Sequence, residues 1–390
     1  MERTPQIWRK LVSWVVLSTT LFLLVVMPTS SMMHASAKEC SFEAIFNFGD
    51  SNSDTGGLSA VYGQAPYPNG ITFFHAPAGR FSDANSLGLP YLSAHLDSMG
   101  SNFSHGANFA TAGSTIRPPN RTRSQSGYSP ISLDVQSIEF SDFKIRSDLI
   151  IKRGGVFESL FPKNIYFSEA LYTYDIGQND LTYGYKLNMT TEQVKAYIPD
   201  VVSQFSNAIR NVYREGGRSF WIHSTGPLGC LPYVLDGFPQ LAAQADKFGC
   251  SIPLNEVSQY YNLKLKQTIL HLRNELPEAT ITYVDIYTVK YNLITHAHEY
   301  GFEEGVIACC GHGGKYNFDN VERCGATKLV NGKKVIIANS CKDPSVRIIW
   351  DGIHYTEAAN HWIFQQIVNW SFSDPPIPLN MACNSHTIHD

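Results

Sequence analysis

The sequence predicts an α/β fold in which a parallel sheet is wrapped by helices. Three observations predict it. Short apolar runs stop abruptly at Gly, Asp or Asn, as buried parallel strands do, and helical patterns lie between them. Apolar residues make up 43% of the chain and charged residues 16%, a balance that excludes disorder. At 390 residues the chain is long enough for one large core.

The N-terminus carries Arg3, Arg9 and Lys10, an apolar run from Leu11 to Val26, and then Ala35-Ser36-Ala37. This is the pattern of a cleaved secretory signal over residues 1–37, leaving one domain over 38–390. The run is shorter than the roughly 20 residues of a membrane span, so no stable span is expected. Residues 1–37 hold three cations and Glu2, so cleavage moves the formal net charge from −4 to −6. Nothing in that balance attracts nucleic acid.

The first strand is Ala44–Phe48, ended by Gly49-Asp50. Ala170–Asp180 repeats the design and stops at Gly-Gln-Asn-Asp, and the stretches from Ser219 and Thr280 give two more strands. One helix is read from Ile198, Val201, Val202, Phe205, Ile209, Val212 and Tyr213 at three-and-four spacing, with Gly216-Gly217 as its stop. A second spans Val257–Leu272. Pro118–Tyr128 reads as a surface loop. In such sheets the ligand crevice lies beyond the carboxyl ends of the strands, where Ser51 and Asn179 would both fall.

Secretion gives meaning to two other features. Four N-x-Ser/Thr sequons, at Asn102, Asn120, Asn188 and Asn369, are candidate glycan sites on exposed loops. Eight cysteines remain beyond residue 37, and an even count in a secreted chain indicates disulfides. Seven of them lie beyond residue 229 and are expected to staple the C-terminal loops. The zinc alternative has only Cys309-Cys310 with His312, so no metal is expected.

Serine needs a base, a group that orients the base, and donors for the oxyanion before it can attack an ester. Ser51 follows the first strand in "FNFGDSNSDTGG", where Gly49 and Asp50 could expose its hydroxyl, although Gly-Asp-Ser is also ordinary turn chemistry. Of thirteen histidines, His354 alone has Asp three residues before it. Asp351 can thus orient His354, and capping the helix that begins near Thr356 is compatible with that role. Asn179 in "GQND" could donate its side-chain amide to an oxyanion, and the Gly-rich "HGANFATAG" adds the amide of Gly106.

Taken together, "FGDSNSDTGG", "GANFATAG", "DIGQND" and "DGIHYT" resemble the blocks of the GDSL esterase/lipase family of the SGNH hydrolase superfamily, from about Cys40 to Asn369. "NGITFFHAPAGRFSD", "GCLPY" and "WDGIHYTEAAN" are similar to the plant secreted, early-nodulin and acetylesterase-like branch. The resemblance implies a three-layer α/β/α fold of flavodoxin-like topology and hydrolysis of carboxylic esters without a cofactor. By position it makes Ser51 the nucleophile, His354 the base, Asp351 its orienter, and the Ser51 amide, Gly106 amide and Asn179 side chain the oxyanion hole. The expected partner is a small-molecule ester, an acylated glycoside or a lipid, met by a monomer in the extracellular space or cell wall. An acyltransferase with the same triad, or an inactive glycan- or lipid-binding homologue, are the alternatives. One departure stands out: after Asp83 only "ANS" precedes Leu87, so about ten residues of a helix usual in the family are missing near 83–87.

Overall fold

The first strand, β1 (Ile45–Gly49), is buried along its whole length, and its alternate side chains meet two different environments. Phe46 and Phe48 point to one face, where they stack on Tyr172 and Tyr174 of the neighbouring strand at centroid distances of 5.4 and 4.9 Å. Asn47 points to the other face, where its amide donates to Asn108 at 2.8 Å and its oxygen accepts from Thr173 at 2.7 Å. One face is therefore an aromatic core and the other carries a polar ladder.

A computed structural model describes residues 39–64, 67–71, 92–119 and 128–384. The expected leader at 1–37, the stretch near 83–87 where a helix is expected to be missing, and the Asn120 sequon lie outside the described residues. Glu39–Asp390 gather into one compact unit. Beyond β1 the chain forms α1 (Gly57–Tyr62), β2 (Gly106–Asn108), α2 (Leu133–Arg153), β3 (Leu171–Asp175), α3 (Gln178–Lys186) and α4 (Thr191–Arg214). Then come β4 (Ser219–His223), α5 (Ile252–Glu275), β5 (Thr280–Val284), α6 (Ile286–Thr295), β6 (Thr327–Val330), β7 (Lys333–Ile336), α7 (Glu357–Ile367) and β8 (Ser373–Asp374).

The main sheet has the order β2-β1-β3-β4-β5-β8. The first five strands are parallel in the flavodoxin-like order 2-1-3-4-5, and helices α2, α4 and α5 pack side by side along one layer while α6 and α7 pack on each other. The fold is the α/β/α arrangement expected, with one correction: the sheet is mixed, because two-residue β8 pairs antiparallel with β5. In this order the chain leaves β1 and β3 toward opposite faces, and the crevice opens between their carboxyl ends. Ser51 follows the first and Asn179 the second.

The aromatic layer is held by α2, whose Phe140 and Phe143 sit edge-on to Phe46 at 5.3 and 6.1 Å. T-shaped aromatic pairs add about 0.5–1.5 kcal/mol each beyond their buried area. Helix α4 starts seven residues earlier than its apolar spacing indicates, because Thr190 and Gln193 form a capping box, and it tolerates Pro199 in its third turn. Its buried face from Val194 to Val212 is the one the periodicity shows. Among the described residues no helix is long and apolar enough to cross a membrane.

Four disulfides join Cys40–Cys383, Cys230–Cys250, Cys309–Cys341 and Cys310–Cys324. The first ties the two ends of the described unit together and the other three lie in the C-terminal half, as the cysteine distribution indicates. With Cys309 and Cys310 both bridged, neither can offer a thiolate, so the zinc alternative falls.

Candidate active site

Ser51 stands at the end of β1 in a turn that is fixed from three directions. Gln136 of α2 clamps Gly49, accepting its N–H at 3.0 Å and donating to its carbonyl at 2.8 Å. A Cβ on Gly49 would lie 2.6 Å from the Asp175 carbonyl, so only glycine lets β1 and β3 approach there. The Asp50 amide donates to that same carbonyl at 3.2 Å, and the Asp50 carboxylate accepts from the Asn52 amide at 3.0 Å. The turn then closes when Ser53 donates to the Asp50 carbonyl at 3.2 Å. Ser51 is thus both a turn residue and part of the wall of a cavity, with 7% of its surface exposed.

Beside it runs the "GANFATAG" segment. Phe109 and Thr111 extend the β2 pairing by donating to the carbonyls of Asn47 and Gly49 at 2.8 and 3.3 Å. The buried carboxylate of Asp54 gathers the N–H groups of Gly56, Gly57, Leu58 and Ala112, which ties this segment to the Ser51 turn. Gly106 does not reach the site. It pairs with Ile45 at the start of β1, and its amide donates to Phe103 at 2.9 Å. Ser51 lies six residues beyond Ile45, and six beyond Gly106 in a parallel partner is Ala112. Ala112 and Gly113 are accordingly the residues that line the cavity, and Gly113 has φ 85°, a left-handed turn that glycine adopts without strain. The oxyanion role expected of Gly106 is corrected on this ground.

Asn179 occupies the first turn of α3 rather than a free turn, and it lines the cavity. Its Nδ2 donates to the Ser114 carbonyl at 2.9 Å, which orients the amide and leaves a second N–H for the cavity. Next to it, Asp180 accepts from the amides of Ile116 and Arg117 at 2.9 and 3.0 Å. Burial pushes the Asp180 carboxyl up to about 7 in spite of those donors.

The opposite wall is irregular chain. Trp350 donates from its amide to the His354 carbonyl at 2.7 Å, closing a loop around Asp351. Asp351 Oδ1 accepts from the amides of Ile353 and His354 at 3.0 and 2.9 Å, and Oδ2 lies 2.7 Å from His354 Nδ1. The capping role for Asp351 is set aside, because Thr356 caps α7 through its Oγ1 to the Ala359 amide at 3.1 Å. Both groups are nearly enclosed. Burial alone would raise the Asp351 carboxyl, but the His354 charge and these hydrogen bonds outweigh it and hold the carboxyl below its ordinary range. Burial would lower the imidazole, yet Asp351 and then Asp50 outweigh it and raise His354 above its ordinary value.

Disulfide-linked chain supports this wall. The Cys309 amide donates to Ile349 at 2.9 Å and the Cys310 amide to Trp350 at 2.6 Å. Trp350 packs with Cys309, Cys310 and Cys324, and its indole donates to Asn69 at 3.2 Å.

The cavity is about 320 Å³, near the lower end of ligand sites, and the described lining brings together Ser51, Gly113, Asn179, Asp351 and His354. Sequence reasoning missed Tyr128, Lys186, Tyr233 and Arg323, which also line it. Tyr128, assigned to a surface loop, is buried there and donates to Thr182 at 3.0 Å. Beneath the site lies a buried charge cluster. Burial and the neighbouring Asp175 push Asp50 up to about 7, while burial lowers Lys290 against the pull of Asp175 and Asp50. The sequons at Asn102, Asn188 and Asn369 are exposed. Among the described residues no group of His, Cys, Asp and Glu could hold a metal ion.

The model of the GDSL-like lipase/acylhydrolase family matches residues 45–367. A GDSL esterase/lipase of Arabidopsis thaliana is 63% identical over 368 residues, covering 92% of this chain and 97% of its own. A protein of the same plant named alpha-L-fucosidase 3 is 54% identical over 360 residues, 90% of this chain and 96% of its own. The GDSL esterase/lipase ENOD8 of Medicago truncatula is 52% identical over 372 residues, 93% and 95% of the two chains.

Proposed function

The chain belongs to the GDSL-like lipase/acylhydrolase family and hydrolyses carboxylic esters, and we propose that it does so as a secreted monomer through an acyl-enzyme on Ser51. The observation that carries this reading is one cavity holding Ser51 at the end of β1 and an Asp351–His354 pair, 2.7 Å apart, on the facing loop. The Asp351 carboxylate accepts from Nδ1, so the neutral imidazole keeps its basic lone pair on Nε2. Nε2 takes the Ser51 proton as Oγ attacks the ester carbonyl. The Ser51 and Gly113 amides and the Asn179 side chain receive the oxyanion. When the C–O bond breaks, Nε2 returns the proton to the leaving alcohol, and water then attacks the acyl-enzyme by the same route.

The relative named as a fucosidase raises a glycosidase reading. Glycoside hydrolysis ordinarily needs two carboxyl groups flanking the bond. The described lining holds one, Asp351, and both of its oxygens are already engaged by Ile353 and His354. This favours the ester. Small acyl or acetyl esters, acylated glycosides and lipids are all compatible with the chemistry. The exposed sequons and four disulfides support extracellular life for the chain.

The test is release of p-nitrophenol from acetyl, butyryl and palmitoyl esters by the wild type and by Ser51→Ala. Turnover should fall by about four orders of magnitude or more in the variant while its melting temperature stays put. Retained turnover would overturn the mechanism. Adding an acceptor alcohol separates water from alcohol as the acyl acceptor, and the absence of any turnover from folded wild type would support a binding homologue.

A further inference from the structure

The cavity carries more positive charge than the ester chemistry uses. Its described lining has one carboxylate, Asp351, whose two oxygens are engaged by Ile353 and His354, but two cations, Lys186 and Arg323. Lys186 is the last residue of α3, and Arg323 precedes Cys324, which is anchored by its bridge to Cys310. Both rest on one aromatic ring: Lys186 Nζ lies 5.1 Å, and the Arg323 guanidinium carbon 5.5 Å, from the centroid of Tyr233. Tyr233 is pinned to the catalytic loop, because its amide donates to the Gly352 carbonyl at 3.0 Å, next to Asp351.

The carboxylates nearby are occupied elsewhere. Asp236 accepts from Asn320 at 2.6 Å, Asp319 accepts from the amides of Val321 and Glu322, and Glu322 pairs with Lys328 and His312. Among the described residues neither Lys186 nor Arg323 has a carboxylate within ion-pair distance. Burial, and after it the Arg323 charge, lowers the Lys186 amine below its ordinary value. Two cations held together without a counter-ion repel, and an anion between them would relieve that repulsion.

We propose that Lys186 and Arg323, mounted on Tyr233, form an anion subsite, so that the preferred substrates are esters bearing a carboxylate or a phosphate beside the reacting carbonyl. This rests on the ester-cleaving reading of the same cavity. The Arg323 guanidinium donates from Nε and Nη2 to Asn320 at 3.2 and 3.5 Å and keeps its remaining N–H groups for an anion, and the ammonium adds a mobile point charge.

Three acetyl esters of matched size test it: 4-acetoxybenzoate, 4-acetoxyphenyl phosphate and neutral 4-acetoxybenzamide, with p-nitrophenyl hemisuccinate against p-nitrophenyl butyrate for an anion on the acyl side. In at least one series the anionic ester should exceed its neutral partner at least tenfold in kcat/KM once leaving-group reactivity is corrected, and added salt should erode that ratio. The carboxylate and phosphate arms decide which anion is preferred. The pair Lys186→Glu with Arg323→Glu should lower the anionic-to-neutral ratio at least a hundredfold and favour a cationic ester, 4-(aminomethyl)phenyl acetate. Calorimetric binding of 4-hydroxybenzoate against 4-hydroxybenzamide to Ser51→Ala supplies a readout that does not depend on turnover. Stronger binding of the benzoate, lost in the charge-reversed pair, supports the subsite even if Ser51 is not the nucleophile. Ser51-dependent turnover with equal ratios and equal binding in wild type and charge-reversed protein would overturn the subsite and leave the esterase standing.

Discussion

The two walls of the cavity are built from opposite materials. Ser51 is presented by a parallel strand with an aromatic layer behind it, where Phe46 and Phe48 meet Phe140, Tyr172 and Tyr174. Asp351 and His354 are presented by chain with almost no regular structure, pinned by hydrogen bonds to Cys309 and Cys310 and by their bridges to Cys341 and Cys324. A nucleophile that must keep one position gains from the rigidity of a sheet. A loop cannot draw on such a ladder, so covalent bridges take over the task of limiting its unfolded freedom.

That contrast can be broken at either wall. The largest effect belongs to the loop: Asp351→Asn removes the acceptor for Nδ1, and kcat should fall about ten-thousandfold with little change in fold. The pH profile should move with it. Because Asp351 raises the His354 value, the wild-type rate should climb with pH through an imidazole above about 6.5. Without the carboxylate, burial is opposed only by the Asp50 charge and the residual limb should shift to lower pH. Stability follows a different course. The raised imidazole stabilises fully below its unfolded value and loses this as pH rises through the folded one, while the depressed Asp351 stabilises above its unfolded value and loses this as pH falls through its folded one. The pair therefore stabilises most between about pH 4 and 6.5, on the acid side of the pH at which the base is neutral and active.

The next effect is on the sheet wall. Phe46→Ala removes a fully buried ring in contact with four aromatic partners, and should cost about 3–5 kcal/mol in the global urea transition. The smallest is at the staple. Cys310→Ser with Cys324→Ser opens a loop of separation 14 and should cost about 3 kcal/mol on the chain-entropy account. Its signature is local: hydrogen exchange should rise in the Cys309–His354 loop before the sheet opens, and esterase activity should be lost at lower urea than sheet structure. Coincident loss of both would show that the two walls unfold as one.

The same contrast decides what was legible in the sequence. Strands β1, β3, β4 and β5 and the apolar faces of α4 and α5 are visible, because buried strands and amphipathic helices write their periods locally. Three-residue β2 leaves no such trace, and its absence from the reading is what placed the candidate oxyanion amide at Gly106 rather than in the cavity-lining Ala112-Gly113 turn. Register in a parallel pair is a tertiary fact, although counting six residues from each strand start recovers it once β2 is known. Helix α3 is not visible in the sequence, because its polar first residues mask the helix they begin. The Asp351–His354 pair was legible because both partners sit within one turn of chain. Lys186, Tyr233 and Arg323 were not, since they come from three separate segments that only the fold and one disulfide bring to a common cavity.

The proposed mechanism requires Ser51, activated by His354, to form a covalent acyl-enzyme. Its most direct test is to treat the active, folded protein with a fluorophosphonate and map the adduct by mass spectrometry, with His354→Ala as the control. One adduct per chain is expected, on Ser51, formed in step with the loss of esterase activity and strongly slowed in His354→Ala. An adduct on another residue, or full esterase activity in protein labelled at Ser51, would contradict it.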